Sequence, residues 1–434
     1  MTDPLLKRIE TILRSPLTLV VVLIGLAVTP VALGWLAWPI LKGWLSDQFS
    51  LSILVMGVML FIIIHACAVC ILAERKVAAL MQDRHGPNRV GFWGWLQPIA
   101  DGVKMAFKEN INPANVDKPL FLLAPTLALC VSLLGFAIVP WGGPVQWPWA
   151  GPDGPVLQVQ AANLNIGLLY FLAVGSIGVY AVVLAGYASN NKYAFYGGLR
   201  ASAQMISYEL PLGLALLVML LTTGTLQLEV MVDQQARSGL WYVFLHPVAF
   251  FLVLVAALAE TNRAPFDLAE CEQELVGGYH TEYSGMKFGM FFLGEYAHMI
   301  TNSAIIAGVF FGGWHFWGLP GADNLTWWAM LTRVGVYCAK VSFFIWLYMI
   351  IRWTIPRFRF DQLMRLCWQS LVPVGILMLI GTGVLVQLGL ERNVLACLAL
   401  NVVLVAYLLW RAARTERVTA RQEDLPEIEV AARA

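Results

Sequence analysis

Charged side chains are scarce in this 434-residue sequence, and their scarcity excludes a water-soluble fold. Asp, Glu, Lys and Arg make up 13% of the residues, whereas 59% are hydrophobic. A typical soluble domain carries about 25% charged residues. Lipid must therefore cover much of the surface of this chain. The formal net charge of +1 also argues against a nucleic-acid partner.

Motifs that hold redox cofactors are also missing. The chain has 7 cysteines, but only Cys67 and Cys70 have motif spacing, and no second pair completes a zinc or iron–sulfur site. No glycine fingerprint follows a strand, which argues against a bound dinucleotide. We expect no metal, flavin, iron–sulfur cluster or catalytic residue in this chain.

Long apolar runs are what the sequence has in abundance. Ten of them are close to the length of about 20 residues that crosses a bilayer as a helix. Spans must be helical because a helix satisfies its own backbone in lipid. The sequence predicts an all-α fold, a polytopic transmembrane helix bundle of about ten spans. The predicted spans are 17–41, 50–72, 119–140, 163–187, 205–224, 243–260, 288–312, 333–351, 371–390 and 393–410.

The distribution of Lys and Arg predicts how the spans are oriented. Residues 73–118 carry seven of these bases, whereas 141–162 carry none. Basic loops are retained on the cytoplasmic side, so 73–118 is predicted to be cytoplasmic. An even number of spans then places both termini on that side. We expect a multi-pass protein of a bacterial cytoplasmic (inner) membrane.

Six ionisable residues fall inside the predicted spans. Each costs about 2.5–3.5 kcal/mol on insertion scales and is therefore a functional hypothesis. Glu295 and His298 are three apart on one helix face, so they could pass a proton or hydrogen-bond each other. We favour a functional role for Glu295 and a structural one for His298. Glu209 and Glu260 lie near span ends, where snorkelling or capping is an alternative. The set is Glu209, Glu260, Glu295, Lys340, His65 and His298.

The segment 259–285 is acidic although the topology predicts a basic loop. It holds six carboxylates against the single base Arg263, a difference of −5 with His280 neutral. Clustered and buried carboxylates have raised pKa values, so such a group can store and transfer protons. A solvated acidic loop is the alternative, but interspersed apolar residues favour burial. The carboxylates are Glu260, Asp267, Glu270, Glu272, Glu274 and Glu282.

A basic and aromatic stretch runs from 73 to 110. Arg75, Arg84 and Arg89 lie just outside a span, close to Trp93 and Trp95. Such a patch could orient a polar quinone headgroup or anchor the chain to anionic lipid. Residue types alone do not separate these two roles.

Seven motifs in this order resemble the H subunit of respiratory complex I, the proton-translocating NADH:quinone oxidoreductase. The resemblance covers about residues 50–390 and is specific because the motifs are long. It implies an eight-helix core docked under the peripheral arm, where the family forms the entrance and lower wall of a quinone tunnel. The motifs are AERK (73–76), GPNRVG (86–91), SNNKY (189–193), RASAQMISYE (200–209), the acidic segment 259–285, FFLGEY (291–296) and PRFRFDQL (356–363).

The resemblance also implies site residues, partners and a substrate. Arg75, Arg84, Arg352 and Phe292 resemble residues beside the quinone, which is a substrate bound with partner subunits. The partners are the peripheral quinone-site subunits, the adjacent small membrane subunits and lipid. Electron transfer from NADH would take place in those partners. Eight carboxylates resemble the family's acidic path to the pump subunits: Glu209, Glu260, Asp267, Glu270, Glu272, Glu274, Glu282 and Glu295. To this predicted proton-coupling set we add Arg263, Tyr283 and Lys340.

The chain departs from the family pattern at both ends. Residues 1–49 and 391–434 add one predicted span each to a core of 50–390.

Two other functions stay open. A homologous membrane subunit of an ion-pumping hydrogenase or other-donor complex would share many of these motifs. A stand-alone ion-coupled carrier would explain intramembrane carboxylates, but the sequence lacks the internal repeats expected of one.

Overall fold

The computed structural model describes residues 47–146, 156–268, 275–319, 321, 323–390 and 392–423. Within these ranges the regular secondary structure is helical, apart from an antiparallel hairpin in which β1 (Pro144–Gln146) pairs with β2 (Val156–Gln158). The predicted all-α bundle is therefore confirmed. The predicted span 17–41 lies outside the described residues.

Each predicted span from 50–72 onward contains a long helix, although several of these helices extend well beyond the predicted bounds. Short helices lie between the long ones in the sequence: α2 (Gln97–Phe107), α6 (Leu228–Ser238), α7 (Tyr242–Leu245) and α11 (Phe360–Arg365). The long helices are α1 (Asp47–Met81), α3 (Lys118–Leu134), α4 (Gly167–Ala188), α5 (Lys192–Thr223), α8 (Pro247–Glu260), α9 (Gly285–Phe311), α10 (Trp327–Thr354), α12 (Val372–Gln387) and α13 (Val394–Glu423).

Seven helical stretches among the described residues are long and apolar enough to cross a membrane. They correspond to α1, α3, α4, α5, α10, α13 and the run from α11 through α12. The chain is thus an integral membrane protein by length and composition. The number of crossings, ten in our prediction, stays a prediction.

Helix α9 is 27 residues long but is not among the seven, because polar side chains interrupt its apolar sequence. It packs against α1, α3, α8 and α10, so neighbouring helices rather than lipid cover it. Thr301, Asn302 and Ser303 on this helix are each at most 2% exposed. A polar helix enclosed by apolar ones can hold ionisable groups away from lipid.

The predicted span 243–260 is broken between α7 and α8. Pro247 starts the second helix, and it lacks the N–H that would continue the first. Asn401 on α13 binds both sides of the break: its amide Nδ2 donates to Leu245 O at 2.9 Å, and its Oδ1 accepts from Val248 N at 3.2 Å. The C-terminal helix is therefore fixed to the bundle by specific hydrogen bonds.

Candidate functional site

Glu74, in the C-terminal part of α1, is the centre of a buried ionic group. Its side chain is only 7% exposed. Arg263 Nη1 lies 2.7 Å from Glu74 Oε2, and Arg352 Nη1 bonds the other carboxylate oxygen. The Tyr296 hydroxyl also donates to Glu74. Two guanidinium groups and a phenol thus satisfy a carboxylate that would otherwise be costly to bury.

Arg263 connects this group, which we call the Glu74 group, to helix α9. Its Nε lies 3.0 Å from Glu295 Oε1, and its guanidinium carbon lies 4.0 Å from the centre of the Tyr296 ring. The side chain of Arg263 is 3% exposed. One guanidinium therefore pairs with carboxylates on two helices, Glu74 on α1 and Glu295 on α9. A change in the charge of either carboxylate must alter the field at the other.

A cavity of about 80 Å³ lies beside Glu295, between α3, α4, α8 and α9. We call it the central cavity. Its lining includes the ionisable side chains Glu260, Glu295, His298 and Tyr279 and the glycines Gly175, Gly178 and Gly294. Liquid water takes about 30 Å³ per molecule, and a polar lining favours hydration. The cavity has room and partners for a few water molecules.

Glu260, the last residue of α8, faces the central cavity opposite Glu295. Its Oε1 lies 3.4 Å from His298 Nε2, and Asn302 Nδ2 donates to its Oε2 at 3.4 Å. The side chain is 8% exposed. The structure therefore pairs His298 with Glu260, whereas the sequence suggested Glu295 as its partner.

Glu209 on α5 follows Glu295 and Glu260 in space, and we call these three carboxylates the acidic row. Ser176 on α4 donates a hydrogen bond to Glu209. The preceding residue, Gly175, is so close to Glu260 that an added Cβ would lie 3.0 Å from Glu260 Oε1. Consecutive residues of α4 thus bring Glu209 and Glu260 to the same part of the bundle.

The acidic segment is described in part. Asp267 Oδ2 lies 3.2 Å from Arg357 Nη2, and burial raises the pKa of Asp267 although Arg357 opposes the change. Burial lowers the pKa of His280, against the pull of Glu295 and Asp267. Glu282 accepts from Asn191 Nδ2 at 2.7 Å. Glu270, Glu272 and Glu274 lie outside the described residues.

Tyr283 is a packed aromatic residue at the end of the same segment. Its ring stacks on Phe121 with centroids 4.0 Å apart, and the residue is 6% exposed. Burial raises the pKa of its hydroxyl. Tyr283 therefore contributes packing on this side of the bundle, whatever further role it has.

The predicted quinone residues fall into two groups. Arg352 and Phe292 lie at the Glu74 group, because Arg352 bonds Glu74 and the Phe292 ring meets Tyr296 edge-on at 5.0 Å. Arg75 instead pairs with Asp101 on α2 at 2.6 Å, with 45% of its side chain exposed. Arg84 is exposed and donates to Gln82 at 2.7 Å.

Lys340 is remote from the acidic row. Its Nζ donates to the carbonyl oxygens of Phe311, Gly313 and His315 at 2.5–2.8 Å, where α9 ends. Cations are favourable at helix C-termini. Sixteen residues separate Glu295 from Phe311, which is about 24 Å along a helix axis. The structure therefore places Lys340 as a helix cap and does not bring it to Glu295.

Sequence reasoning missed two residues of the Glu74 group, Glu74 and Tyr296. Both stand in motifs quoted for the resemblance, AERK and FFLGEY. The available signal was an acid two residues beyond the end of the predicted span 50–72, next to the base Arg75. The basic residues of 73–118 predict a loop that begins at Ala73, whereas α1 continues to Met81.

The fold and this row of buried ionisable groups define a polytopic α-helical membrane protein with a charged path through its interior. A family model described as NADH dehydrogenase matches residues 53–383. The H subunit of NADH-quinone oxidoreductase from Flavobacterium johnsoniae is 46% identical over 318 residues, which cover 72% of this chain and 89% of the relative. An H subunit of the same enzyme from Geobacter sulfurreducens is 48% identical over 325 residues, with coverage of 73% and 89%. The chain belongs to the H-subunit family of NADH-quinone oxidoreductase and is a membrane subunit of complex I.

Proposed function

We propose that this subunit forms part of the quinone chamber at the interface with the peripheral arm and couples quinone reduction to proton translocation. The observation that carries the proposal is the unbroken series of contacts from Arg352 and Glu74, through Arg263, to Glu295. It continues across the central cavity to Glu260. Glu209, at the far end, approaches through the Gly175–Ser176 pair.

The quinone end of this series is the Glu74 group. The side chain of Arg352 is 35% exposed, so its guanidinium group can also contact a polar headgroup. Phe292 supplies an aromatic surface beside the same group. Reduction of a quinone consumes protons and changes the local charge, to which paired carboxylates respond. Electrons would come from NADH through centres in the partner subunits.

Glu295, Glu260 and Glu209 form the other end of this series, and through them the response would reach the proton-pumping subunits. Protonation of Glu295 would weaken its pairing with Arg263, and the proton could pass through cavity water to Glu260. Glu270, Glu272 and Glu274, together with Asp267 and Glu282, belong to the proposed proton-coupling set on the cytoplasmic side. We also propose the bacterial inner membrane as the location, with both termini in the cytoplasm.

Glu295→Gln tests the proposal in the assembled complex. The change keeps the size of the side chain and removes its charge. We expect normal assembly and normal electron transfer from NADH to a water-soluble acceptor, with quinone-reductase turnover and proton pumping in sealed vesicles both reduced at least tenfold. Glu229→Gln is the matched control, because Glu229 is 9% exposed but lies on α6, away from the row. Wild-type turnover and pumping in Glu295→Gln would refute the coupling role.

A further inference from the structure

His298 occupies the gap between the two carboxylates of the central cavity. It lines the cavity together with Glu295 and Glu260. Glu295 and His298 are three residues apart on α9, which puts them on one face of the helix. The side chain of His298 is 17% exposed, and its Nε2 lies 3.4 Å from Glu260 Oε1.

The polar atoms around this gap are incompletely satisfied. Among the residues that the structure describes, buried Asn302 Oδ1 accepts no hydrogen bond, and buried His298 Nε2 has the 3.4 Å contact to Glu260 Oε1 but makes no well-aligned hydrogen bond. Buried polar atoms normally find a partner in the protein or in ordered water. The cavity volume of about 80 Å³ provides for water at this place. Water in the cavity would bridge His298 to Glu295.

We propose that His298 is a proton relay between Glu295 and Glu260. The proposal rests on the coupling function proposed above and assigns the step within it. A proton leaves the carboxyl group of Glu295 through a cavity water and binds Nδ1 of an imidazole that already carries a proton on Nε2, leaving a carboxylate that Arg263 stabilises. The imidazolium then donates the proton from Nε2 to the Glu260 carboxylate. The summed charge of the three groups is the same before and after.

The charges that face His298 suit such a relay. Glu260 approaches from α8 and Glu295 from its own helix; Tyr279 lines the cavity, and Tyr348 on α10 is buried beside Glu260. Arg263 acts on the opposite side of Glu295. None of the described residues that line the cavity is a lysine or an arginine. Imidazole is the side chain whose charge changes between pH 5 and 8.

His65 provides a natural comparison within the same chain. It also lies inside a membrane helix, but its Nδ1 is 2.7 Å from Phe61 O of its own helix. Its ring packs on Phe61 at a centroid distance of 4.1 Å. A histidine with this environment has a local structural role, so its replacement serves as a matched control.

The test measures quinone-reductase turnover and proton pumping of the assembled complex between pH 5.5 and 8.5. We expect His298→Gln to assemble, to lose at least tenfold in both activities at pH 7.5, and to show a pH profile of different shape from that of the wild type. His298→Asn is the second variant if the first assembles poorly. His65→Gln should match the wild type. The double variant His298→Gln with Glu260→Gln should be no worse than Glu260→Gln alone, because both steps lie on one path.

Two results would overturn the relay. One is a wild-type pH profile and wild-type turnover in an assembled His298 variant. The other is a loss that adds fully to that of Glu260→Gln, which would place His298 outside the path. If Glu295→Gln and Glu260→Gln lose activity while His298→Gln does not, only the relay is wrong. If all three keep wild-type pumping, the proposed coupling function itself fails.

Discussion

Arg263 and Glu74 form a buried ion pair with their nitrogen and oxygen atoms 2.7 Å apart and side-chain exposures of 3% and 7%. The pair joins the loop after α8 to the end of α1, residues that are far apart in the sequence. Because Arg263 also reaches Glu295, the pair links the Glu74 group to the central cavity. If this ion pair is broken, the series of contacts from Arg352 to Glu295 is interrupted.

We therefore predict that Glu74→Gln weakens assembly. Removing one partner of a buried ion pair costs about 3–5 kcal/mol, because the remaining charges are left uncompensated. Arg352 and Arg263 would both lose a carboxylate. The amount of assembled complex on native gels should fall severalfold, with Glu109→Gln, an exposed acid, as the control. Equal assembly of the two variants would show that the Glu74 group is dispensable.

Arginine replacements should distinguish the two groups of predicted quinone residues. Arg352→Ala should raise the apparent KM for a short-chain quinone about tenfold, which corresponds to about 1.4 kcal/mol. Arg75→Ala should have a smaller effect, because Arg75 pairs with Asp101 in an exposed position. Electron transfer to a water-soluble acceptor should survive in both. Arg237→Ala, whose side chain is 80% exposed on α6, is the control. Unchanged quinone kinetics in Arg352→Ala would contradict this assignment.

Glu229 gives a prediction about pH. Burial and the nearby charge of Asp233 raise the pKa of Glu229 to about 7 from its ordinary value of 4.5. A raised carboxyl pKa favours the folded state at low pH, and that contribution is lost as the pH rises through about 7.

Hydrogen exchange of α6 in the purified complex measures this effect. After correction for intrinsic rates, exchange should be on the order of tenfold faster at pH 8 than at pH 5, since each 1.4 kcal/mol is a factor of ten. Glu229→Gln should remove most of the difference, because the amide does not ionise. The same pH dependence in the variant would show that another group is responsible.

Asn401 should be essential for docking α13. Asn401→Leu keeps a similar volume but leaves Val248 N–H and Leu245 C=O without a partner at the helix break. An unsatisfied buried polar group costs about 1–3 kcal/mol. The temperature at which this chain dissociates from the complex should fall by several degrees. Val402→Leu, at an exposed neighbouring position, should leave that temperature unchanged; a similar fall in both variants would count against the hydrogen bonds.

The fold could be predicted from the sequence because apolar length alone identifies most membrane helices. Helix α9 was predicted as the span 288–312, but its enclosure by other helices was not, because Glu295, His298 and Asn302 weaken its apolar signal and packing decides what covers it. The break at Pro247 was not predicted, since apolar residues dominate the run 243–260 on both sides of it.

The site could be predicted in part. The sequence pointed to Glu209, Glu260 and Glu295 because charge inside an apolar run is costly, and to Arg263 because it is the single base of the segment 259–285. Their order in space was not predictable, because side-chain pairing depends on how the helices pack. Lys340 shows this: its depth in a span suggested a place in the path, whereas its three carbonyl partners place it at the end of α9.

Glu209 offers the most direct test of the central claim, that charge changes at the quinone end are transmitted along this row into the membrane. It contacts Ser176 on α4 and belongs to the end of the series opposite Arg352. In sealed vesicles that contain the assembled Glu209→Gln complex, quinone-driven proton pumping and quinone-reductase turnover should be measured together. The account predicts that both fall severalfold while electron transfer to a water-soluble acceptor stays normal. Wild-type turnover and pumping in that variant would contradict it.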